Sequence, residues 1–119
     1  MEEKESRIVK KGEVFWAELG ENEGHVQSGR RPVLIIGNNT ANRFSGVVTV
    51  LPISGRIEKL NAIPTHVKLN SALRGESIVL PEQIRTISKE QLVSSCIYRL
   101  TDDEQQTVDQ ALLKQLGLS

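Results

Sequence analysis

The sequence predicts a mainly β domain, a small antiparallel barrel or sandwich that carries one amphipathic helix at its C-terminus. Short apolar or alternating runs of strand length recur between residues 13 and 100, and polar loops separate them. Residues 101–117 instead show helical spacing between a helix-start and a helix-stop signal. Only four of the 119 residues are aromatic, so the core is expected to consist mainly of aliphatic side chains on strands.

The first half of the chain contains three strand candidates. Residues 13–19 (EVFWAEL) alternate in polarity, residues 32–37 (PVLIIG) form a short apolar run that begins with proline, and residues 46–53 (GVVTVLPI) form a third. A turn or a single helical turn is expected at residues 38–46. The Gly-rich polar stretch at residues 20–29 predicts a loop that is long for a small domain, which favours a functional or mobile segment.

The second half adds four shorter strand candidates after a polar loop at residues 54–63. In residues 65–69 (THVKL) the alternation predicts Val67 on the buried face and His66 with Lys68 on the solvent face. The remaining candidates are residues 77–80 (SIVL), 83–87 (QIRTI) and 93–100 (VSSCIYRL).

The C-terminal segment predicts one helix packed on the sheet. Thr101 and Glu104 have the spacing of a capping box, and Gly117 follows the last turn as a C-terminal cap would. The apolar stripe consists of Val108, Ala111, Leu112 and Leu116.

Length and composition predict a single domain spanning residues 1–119, with residues 1–10 as a flexible N-terminal extension. Cys96 is the only cysteine, which excludes an internal disulfide and a CxxC-type metal site. The N-terminus lacks the apolar stretch of a signal peptide, and no apolar run is long enough to cross a membrane. We therefore expect a cytoplasmic protein.

The formal net charge is zero, but the charges are unevenly distributed. Residues 1–24 carry four Lys or Arg and seven Asp or Glu, residues 25–99 carry ten and four, and residues 100–119 carry one and four. A basic centre between acidic ends is typical of a protein that binds a polyphosphate such as a nucleic acid. A solvated basic face balanced by acidic neighbours predicts the same pattern.

Arg30 and Arg31 stand where the first long loop enters an apolar strand candidate. An arginine held by a rigid element can clamp a phosphate, because its guanidinium is always protonated and presents a planar fork of donors. Such a group stabilises a phosphorane oxygen but is a poor general base. The alternative for each arginine is an ordinary solvated or salt-bridged side chain.

Other residues carry weaker signals. His25 and His66 are the only histidines and could act as acid and base in RNA cleavage. Ser54 ends the third strand candidate, where a hydroxyl could bind a phosphate or a ribose, although serine there is also ordinary turn chemistry. Cys96 is interpreted as a small core residue, and neither a metal-ligand spacing nor a P-loop motif is present.

Several motifs, in their order and spacing, resemble the MazF/PemK family of toxin ribonucleases. They are G-x-x-Q-x-G-x-R-P at residues 24–32, P-I-S at 52–54, P-T-H-V at 64–67 and Q-I-R-T-I at 83–87. With KKGEVFWAEL before them and N-x-x-x-N-R-F-S-G between the first two, the resemblance covers nearly the whole chain.

The resemblance implies a small SH3-like antiparallel barrel with short helices and a C-terminal amphipathic helix. It implies a homodimer whose groove binds single-stranded mRNA and a cognate antitoxin that occupies the RNA site. The implied activity is a sequence-specific endoribonuclease, an mRNA interferase, that uses neither a metal nor another cofactor. The 2′-hydroxyl of the RNA attacks the adjacent phosphorus and leaves a 2′,3′-cyclic phosphate and a 5′-hydroxyl.

Carried over by position, the resemblance makes Arg31 the catalytic arginine and Ser54 the counterpart of a threonine that assists catalysis in many members. The RNA-contacting positions that it implies, with Arg30 as an added positive charge, are His25, Gln27, Arg30, Gln83 and Arg85.

Two residues depart from the family pattern. Val26 replaces an acidic residue that many members have before the loop glutamine, and Ser54 keeps the hydroxyl of threonine without the methyl group that restricts its rotamer. Two alternatives stay open. One is a gyrase poison of the CcdB type on the same fold, which would act through the end of its C-terminal helix. The other is a homologue without catalysis that binds RNA or antitoxin, and Val26 is the feature that favours it.

Overall fold

The computed structural model describes residues 8–56, 60, 63–69 and 77–119 of the chain. Within these residues the elements are β1 (Glu13–Glu18), β2 (Arg30–Ile35), α1 (Asn39–Phe44), β3 (Val47–Ser54), β4 (Val67–Leu69), β5 (Ser77–Val79), β6 (Arg85–Ser88), β7 (Tyr98–Arg99) and α2 (Asp102–Gln115). Two 3-10 turns, Pro81–Gln83 and Lys89–Gln91, flank β6.

The strands form one curved antiparallel sheet, a half-barrel, in the order β4-β5-β3-β2-β1-β7, with β6 paired to β3. The predicted mainly β fold with a C-terminal helix is thereby confirmed. β3 is the longest strand, and it pairs with β2, β5 and β6 along different parts of its length. It therefore links β2, which follows the first loop, to β5 and β6, which lie on either side of the 3-10 turn Pro81–Gln83.

Side chains of the central strands alternate between two apolar clusters, one on each face of the sheet. The helix-side cluster, which α2 covers through Val108, contains Val14, Leu34, Leu51, Ile53, Val67, Leu69, Val79, Leu100 and Val108. The far-side cluster contains Val9, Phe15, Ala17, Leu19, Val33, Ile35, Val48, Val50, Ile87 and Leu92. Burying each such side chain contributes about 1.5–3 kcal/mol, so the alternation strongly fixes which face each residue occupies.

Helix α2 has both predicted caps. The Thr101 hydroxyl accepts from the Glu104 N–H (3.2 Å), and the Glu104 carboxylate accepts from the Thr101 N–H (3.0 Å). At the other end Gly117 has a φ of 74°, and the N–H of Leu118 donates to the carbonyl of Leu113 (2.8 Å), as in a Schellman motif. Leu116 was expected in the apolar stripe but is 48% exposed, because the helix ends one residue earlier.

Strand β2 begins at Arg30 rather than at Pro32, so Pro32 lies inside the strand. It sits opposite Trp16, whose N–H and C=O bond to Ser94 Oγ (3.0 Å) and the Val93 N–H (2.8 Å) on the other side of β1. The Trp16–Pro32 pair is therefore a non-hydrogen-bonded pair of the β1–β2 ladder. The missing N–H of proline costs no ladder bond with β1, and both arginines can belong to the strand.

Other boundaries also differ from expectation. Val9 lies in the far-side cluster, so the predicted flexible extension does not reach residue 10, and residues 1–7 lie outside the described residues. Of the predicted strand at residues 93–100, only Tyr98–Arg99 is a strand. Cys96 lies before it, outside the strand, and packs against the far-side cluster. The predicted polar loop at 54–63 is described only at residues 54–56, 60 and 63. No described helix has the length and apolar composition that crossing a membrane requires.

The contact between Tyr98 and Glu104 generates a pH prediction. The Tyr98 hydroxyl donates to the Glu104 carboxylate (2.7 Å), and desolvation together with this carboxylate raises the pKa of Tyr98 to about 12 from 10.0. Because the folded state holds the phenol neutral, this stabilisation is present below about pH 10 and is lost as pH rises from about 10 to about 12.

Tyr98 is the only tyrosine, so tyrosinate absorbance reports its titration directly. We expect a midpoint near pH 12 in the folded protein and near pH 10 in denaturant. The Tyr98→Phe variant should lose this part of the alkaline decrease in unfolding free energy. Equal midpoints in the folded and denatured protein would contradict the prediction.

Candidate active site

Arg30 and Arg31 are the first two residues of β2 and point to opposite faces of the sheet. Strand alternation places Arg31 on the face of Val33 and the far-side cluster, and Arg30 on the face of Leu34 and the helix-side cluster. Arg30 lies across from Glu18 on β1, and its Nε is 3.7 Å from the Glu18 carboxylate. Both side chains of this pair are about half exposed or more, so the pair adds little stability.

Alternation along β2 and β3 places Arg31 and Ser54 on the same face of the sheet. Val33 and Pro52 form the last β2–β3 pair, and Arg31 and Ser54 each lie two residues beyond it, on the far-side face. The ladder itself stops at Pro52, where β3 turns to pair with β5 through Ile53 and Ser54. The two residues that resemblance marks as catalytic therefore share one face and one end of the sheet.

Arg85 belongs to the same face. It is the first residue of β6 and pairs with Val50 of β3, whose side chain is in the far-side cluster. Arg85 is half-buried, while Arg31 is exposed. Two guanidinium groups thus lie on the face that also carries Ser54, which makes this face suited to a phosphate.

Ser54 is 1% exposed and ends β3 in a serine turn, in which its Oγ accepts from the N–H of Arg56 (3.1 Å). This bond uses a lone pair of the hydroxyl and leaves its proton available for donation. The hydroxyl is thereby held in place by the backbone that follows the strand.

The loop between β1 and β2 is closed at its base and braced inside. The N–H of Leu19 donates to the carbonyl of Gly29 (2.9 Å), and the N–H of Gly29 donates to the carbonyl of Gly20 (2.7 Å). Gly20 and Gly29 have φ angles of 76° and 75°, which other residues rarely adopt. Asn22 bridges the loop by donating from Nδ2 to the carbonyl of Gln27 (2.8 Å).

Gln83 connects this loop to the turn before β6. Its Oε1 accepts from the N–H of Gln27 (2.7 Å), and its Nε2 donates to the carbonyl of His25 (2.9 Å). The Gln27 side chain is buried, and its Oε1 has no hydrogen-bond donor within the described part of the chain. A buried amide oxygen without a donor is unusual, and it is an acceptor suited to a ligand N–H or a water molecule.

Ser28, the loop residue just before Gly29, holds the side chain of Arg31. The carbonyl of Ser28 accepts from Nε of Arg31 (3.0 Å). Nε is used in this bond, while the two Nη groups have no bond to any residue that the structure describes. The guanidinium is thereby oriented by its inner nitrogen and can offer its outer nitrogens to a ligand.

His66 does not face solvent, contrary to the prediction from alternation. β4 begins only at Val67, and the His66 side chain is 3% exposed, with Nε2 2.9 Å from both carboxylate oxygens of Glu82. The pair ties the start of β4 to the 3-10 turn that carries Gln83. His66 is therefore built into the structure, and an acid–base pair with His25, whose side chain is exposed, has no support.

The described residues thus bring together most of the predicted site. Arg31, Ser54 and Arg85 share a face, and the Gln83 side chain is hydrogen-bonded to the backbone of Gln27 and to that of His25. Arg30 lies on the other face, in a surface pocket of about 260 Å³ with Trp16, Val93 and Ser94. Asn22, the Ser28 carbonyl and Glu82 were not predicted, because their partners are backbone groups or distant residues that no local pattern reveals.

The chain was compared with families, sequences and solved structures. The family model of PemK-like, MazF-like toxins of type II toxin–antitoxin systems matches residues 10–116. Endoribonuclease EndoA of Bacillus subtilis strain 168 is 42% identical over 114 residues, which cover 93% of this chain and 97% of that protein.

Solved structures give the same likeness. An endoribonuclease in complex with its cognate antitoxin, from a mycobacterial species, has a TM-score of 0.72 at 26% identity and covers 93% of this chain and 95% of its own. MazF of Deinococcus radiodurans has a TM-score of 0.78 at 23% identity, over 93% of this chain and 98% of its own, which shows the likeness of fold.

The buried contact of His66 generates a stability prediction. Replacing Glu82 by alanine leaves the buried imidazole Nε2 without its carboxylate, which should lower the free energy of unfolding by about 1–3 kcal/mol. Urea unfolding of Glu82→Ala measures the loss. Glu90→Ala is the matched control, because Glu90 is an exposed glutamate in the neighbouring 3-10 turn and should change stability by less than about 0.5 kcal/mol. Equal stabilities of the two variants would show that the pair contributes nothing.

Proposed function

Because this chain belongs to the PemK-like, MazF-like toxin family, we propose that it cuts single-stranded mRNA at a short sequence motif, without a metal ion, by attack of the RNA's own 2′-hydroxyl. The chain is an endoribonuclease toxin of the MazF type. The observation that best supports the cleavage chemistry is the strand alternation that places Arg31 and Ser54 on one face of the sheet, each two residues beyond the last β2–β3 pair. It brings a fixed positive charge and a fixed hydroxyl to one face of the sheet.

The proposed reaction makes few demands on the protein. The 2′-oxygen bonds to phosphorus, the bond from phosphorus to the 5′-oxygen breaks, and the proton of the 2′-hydroxyl is lost while the leaving oxygen gains one. The products are a 2′,3′-cyclic phosphate and a 5′-hydroxyl. The enzyme must align the attacking and leaving oxygens and stabilise the charge that develops on the phosphorane.

In this reaction Arg31 stabilises the phosphorane. Its Nε is bound to the Ser28 carbonyl, so the outer nitrogens are already oriented before RNA arrives. Such preorganised donors are effective because they do not need to reorganise in the transition state. Ser54 donates a hydrogen bond to a second phosphate oxygen or to the leaving oxygen and keeps its proton, since its own lone pair accepts from the N–H of Arg56. The proton that the leaving oxygen gains comes from solvent.

In this proposal, RNA is recognised by the loop between β1 and β2 and by the nearby charge of Arg85. The amide oxygen of Gln27 is buried without a donor in the described part of the chain, so it can accept from an exocyclic amino group of a splayed base. Arg85 contacts a flanking phosphate, and His25 offers an exposed ring to a base. Reading base edges in this way requires single-stranded RNA.

The proposed partners follow from the family. A homodimer would combine two such faces into a longer groove for RNA. A cognate antitoxin would hold the toxin inactive by covering that groove, and the mycobacterial endoribonuclease similar to this chain was solved in complex with its cognate antitoxin.

Val26 favours a second candidate, a homologue that binds RNA without cutting it. Val26 is 48% exposed and lies next to Gln27, at the position where an acidic residue could accept the 2′-hydroxyl proton. If that acceptor is required, Arg31 and Ser54 alone give a slow enzyme. Cleavage by the purified protein separates the two candidates.

Arg31→Ala should abolish most cleavage while leaving RNA binding largely intact, because the charge on the phosphorane is the main quantity that Arg31 stabilises. We expect the rate at saturating RNA to fall by about 10²- to 10³-fold. The assay incubates a long natural RNA with EDTA, maps the new ends by primer extension and tests them for cyclic phosphate.

Arg30→Ala is the matched control, since Arg30 is the adjacent arginine on the opposite face. It should keep the rate at saturating RNA and weaken binding, with a smaller dependence of affinity on salt. Equal cleavage by wild type and Arg31→Ala would remove Arg31 from the mechanism. No cleavage by wild type on several RNAs would favour the binding-only homologue.

Ser54 gives a second kinetic prediction. Ser54→Ala removes the hydroxyl from a fully buried position with little change in volume and should slow cleavage about 10- to 100-fold. Ser54→Thr keeps the hydroxyl and restricts its rotamer, so its rate should equal or exceed that of wild type. Single-turnover rates measure both. A Ser54→Ala enzyme as fast as wild type would assign Ser54 to the turn alone.

A further inference from the structure

We propose that Gln83 is a positioning residue that sets the direction of the Arg31 guanidinium through the loop between β1 and β2. The resemblance makes Gln83 an RNA contact, whereas the structure engages both ends of its side-chain amide with loop backbone. The inference rests on the proposed function, since it assigns Gln83 a role in the reaction that Arg31 catalyses.

The orientation of the Gln83 amide is determined by its partners. Oε1 accepts from the N–H of Gln27 (2.7 Å) and Nε2 donates to the carbonyl of His25 (2.9 Å), so the reversed amide would face a donor with a donor and an acceptor with an acceptor. Because these two bonds are made to His25 and Gln27, two residues apart, they fix both the position and the orientation of the loop backbone from His25 to Gln27. The next residue along the chain is Ser28, whose carbonyl accepts from Nε of Arg31 (3.0 Å).

Gln83 is itself held by the strand that carries Ser54. The N–H of Leu80 donates to the carbonyl of Pro52 on β3 (3.1 Å), and the N–H of Gln83 donates to the carbonyl of Leu80 (3.0 Å). The buried pair of His66 and Glu82 anchors the same turn one residue earlier. Gln83 thus transmits the position of β3 to the loop.

Arg31 needs such support because its strand ladder is incomplete. The β2–β3 pairing begins only at Val33, so Arg31 is fixed on the β1 side alone, through its pairing with Ala17. A long side chain there has several rotamers. The hydrogen bond from Nε to the Ser28 carbonyl selects one of these rotamers. The rotamer is therefore fixed only if the loop that carries this carbonyl is itself fixed. Gln83 therefore aligns Arg31 with Ser54, although it touches neither.

The two roles of Gln83 predict different kinetics. If Gln83 positions Arg31, Gln83→Ala should lower the single-turnover cleavage rate about 10- to 100-fold and leave the Kd for RNA nearly unchanged. If Gln83 instead contacts RNA, the Kd should rise and the rate at saturating RNA should persist, which would overturn the inference. Gln83→Glu keeps an acceptor for the Gln27 N–H but sets a carboxylate against the His25 carbonyl, so its rate should lie between those of wild type and Gln83→Ala.

A double-mutant cycle tests whether Gln83 acts through Arg31. In the Arg31→Ala background, Gln83→Ala should cause no further loss of the residual rate, since there is no guanidinium left to position. A loss as large as in the wild-type background would overturn the inference. Gln91→Ala is the matched control, because Gln91 also bonds to backbone, at Glu18 (2.9 Å), and controls for general destabilisation.

Amide hydrogen exchange without RNA gives a readout independent of activity. In Gln83→Ala the Gln27 N–H should lose its protection, while the Leu19 N–H at the base of the loop keeps its bond to Gly29 and remains protected. Continued protection of Gln27 would overturn the inference even in an active enzyme. Absence of cleavage by wild type would instead overturn the proposed function, and the exchange data would still decide whether Gln83 holds the loop.

Discussion

The register between β1, β2 and β3 is the constraint on which the rest of the structure depends. Both faces of β2 are buried from Val33 to Ile35, one in the helix-side cluster and one in the far-side cluster, so apolar residues occupy these consecutive positions. A slip by one residue would bring Arg31 to the face of Leu34 and separate it from Ser54. The packing of aliphatic side chains therefore determines the geometry of a site that contains almost none of them.

Hydrogen bonds to backbone groups fix the orientation of the site side chains on the strands that the packing positions. Arg31 lies beyond the last β2–β3 pair and Ser54 is the last residue of β3, and each side chain is held by a carbonyl or an N–H of a connecting segment. The loop between β1 and β2 is held in turn by Asn22 and Gln83. Such bonds contribute little net stability, about 0.5–1.5 kcal/mol each, but they select one arrangement among several of similar energy. Their effect is on geometry more than on stability.

Local patterns in the sequence predicted the parts of the fold that depend on periodicity and capping. The capping box of Thr101 and Glu104, the cap at Gly117 and the three central strands are all encoded by neighbouring residues. Pairs of residues far apart in the chain were not accessible in this way. His66 was expected in solvent because alternation was extended one residue too far, and its burial depends on Glu82, sixteen positions away. Arg31 and Ser54 could be named by resemblance, but only the strands of the folded protein place them on one face of the sheet.

The closed base of the loop between β1 and β2 has a consequence for how the protein can evolve. Backbone bonds at Gly20 and Gly29 isolate the loop from the sheet, and Gln83 restrains only its second half, from His25 to Gln27. Residues 21–24 are exposed and carry no bond to the sheet in the described structure. Insertions there cost little entropy. Apart from Asn22, which braces the loop through its bond to the Gln27 carbonyl, mutation can thus diversify this segment without endangering the fold or the placement of the arginine.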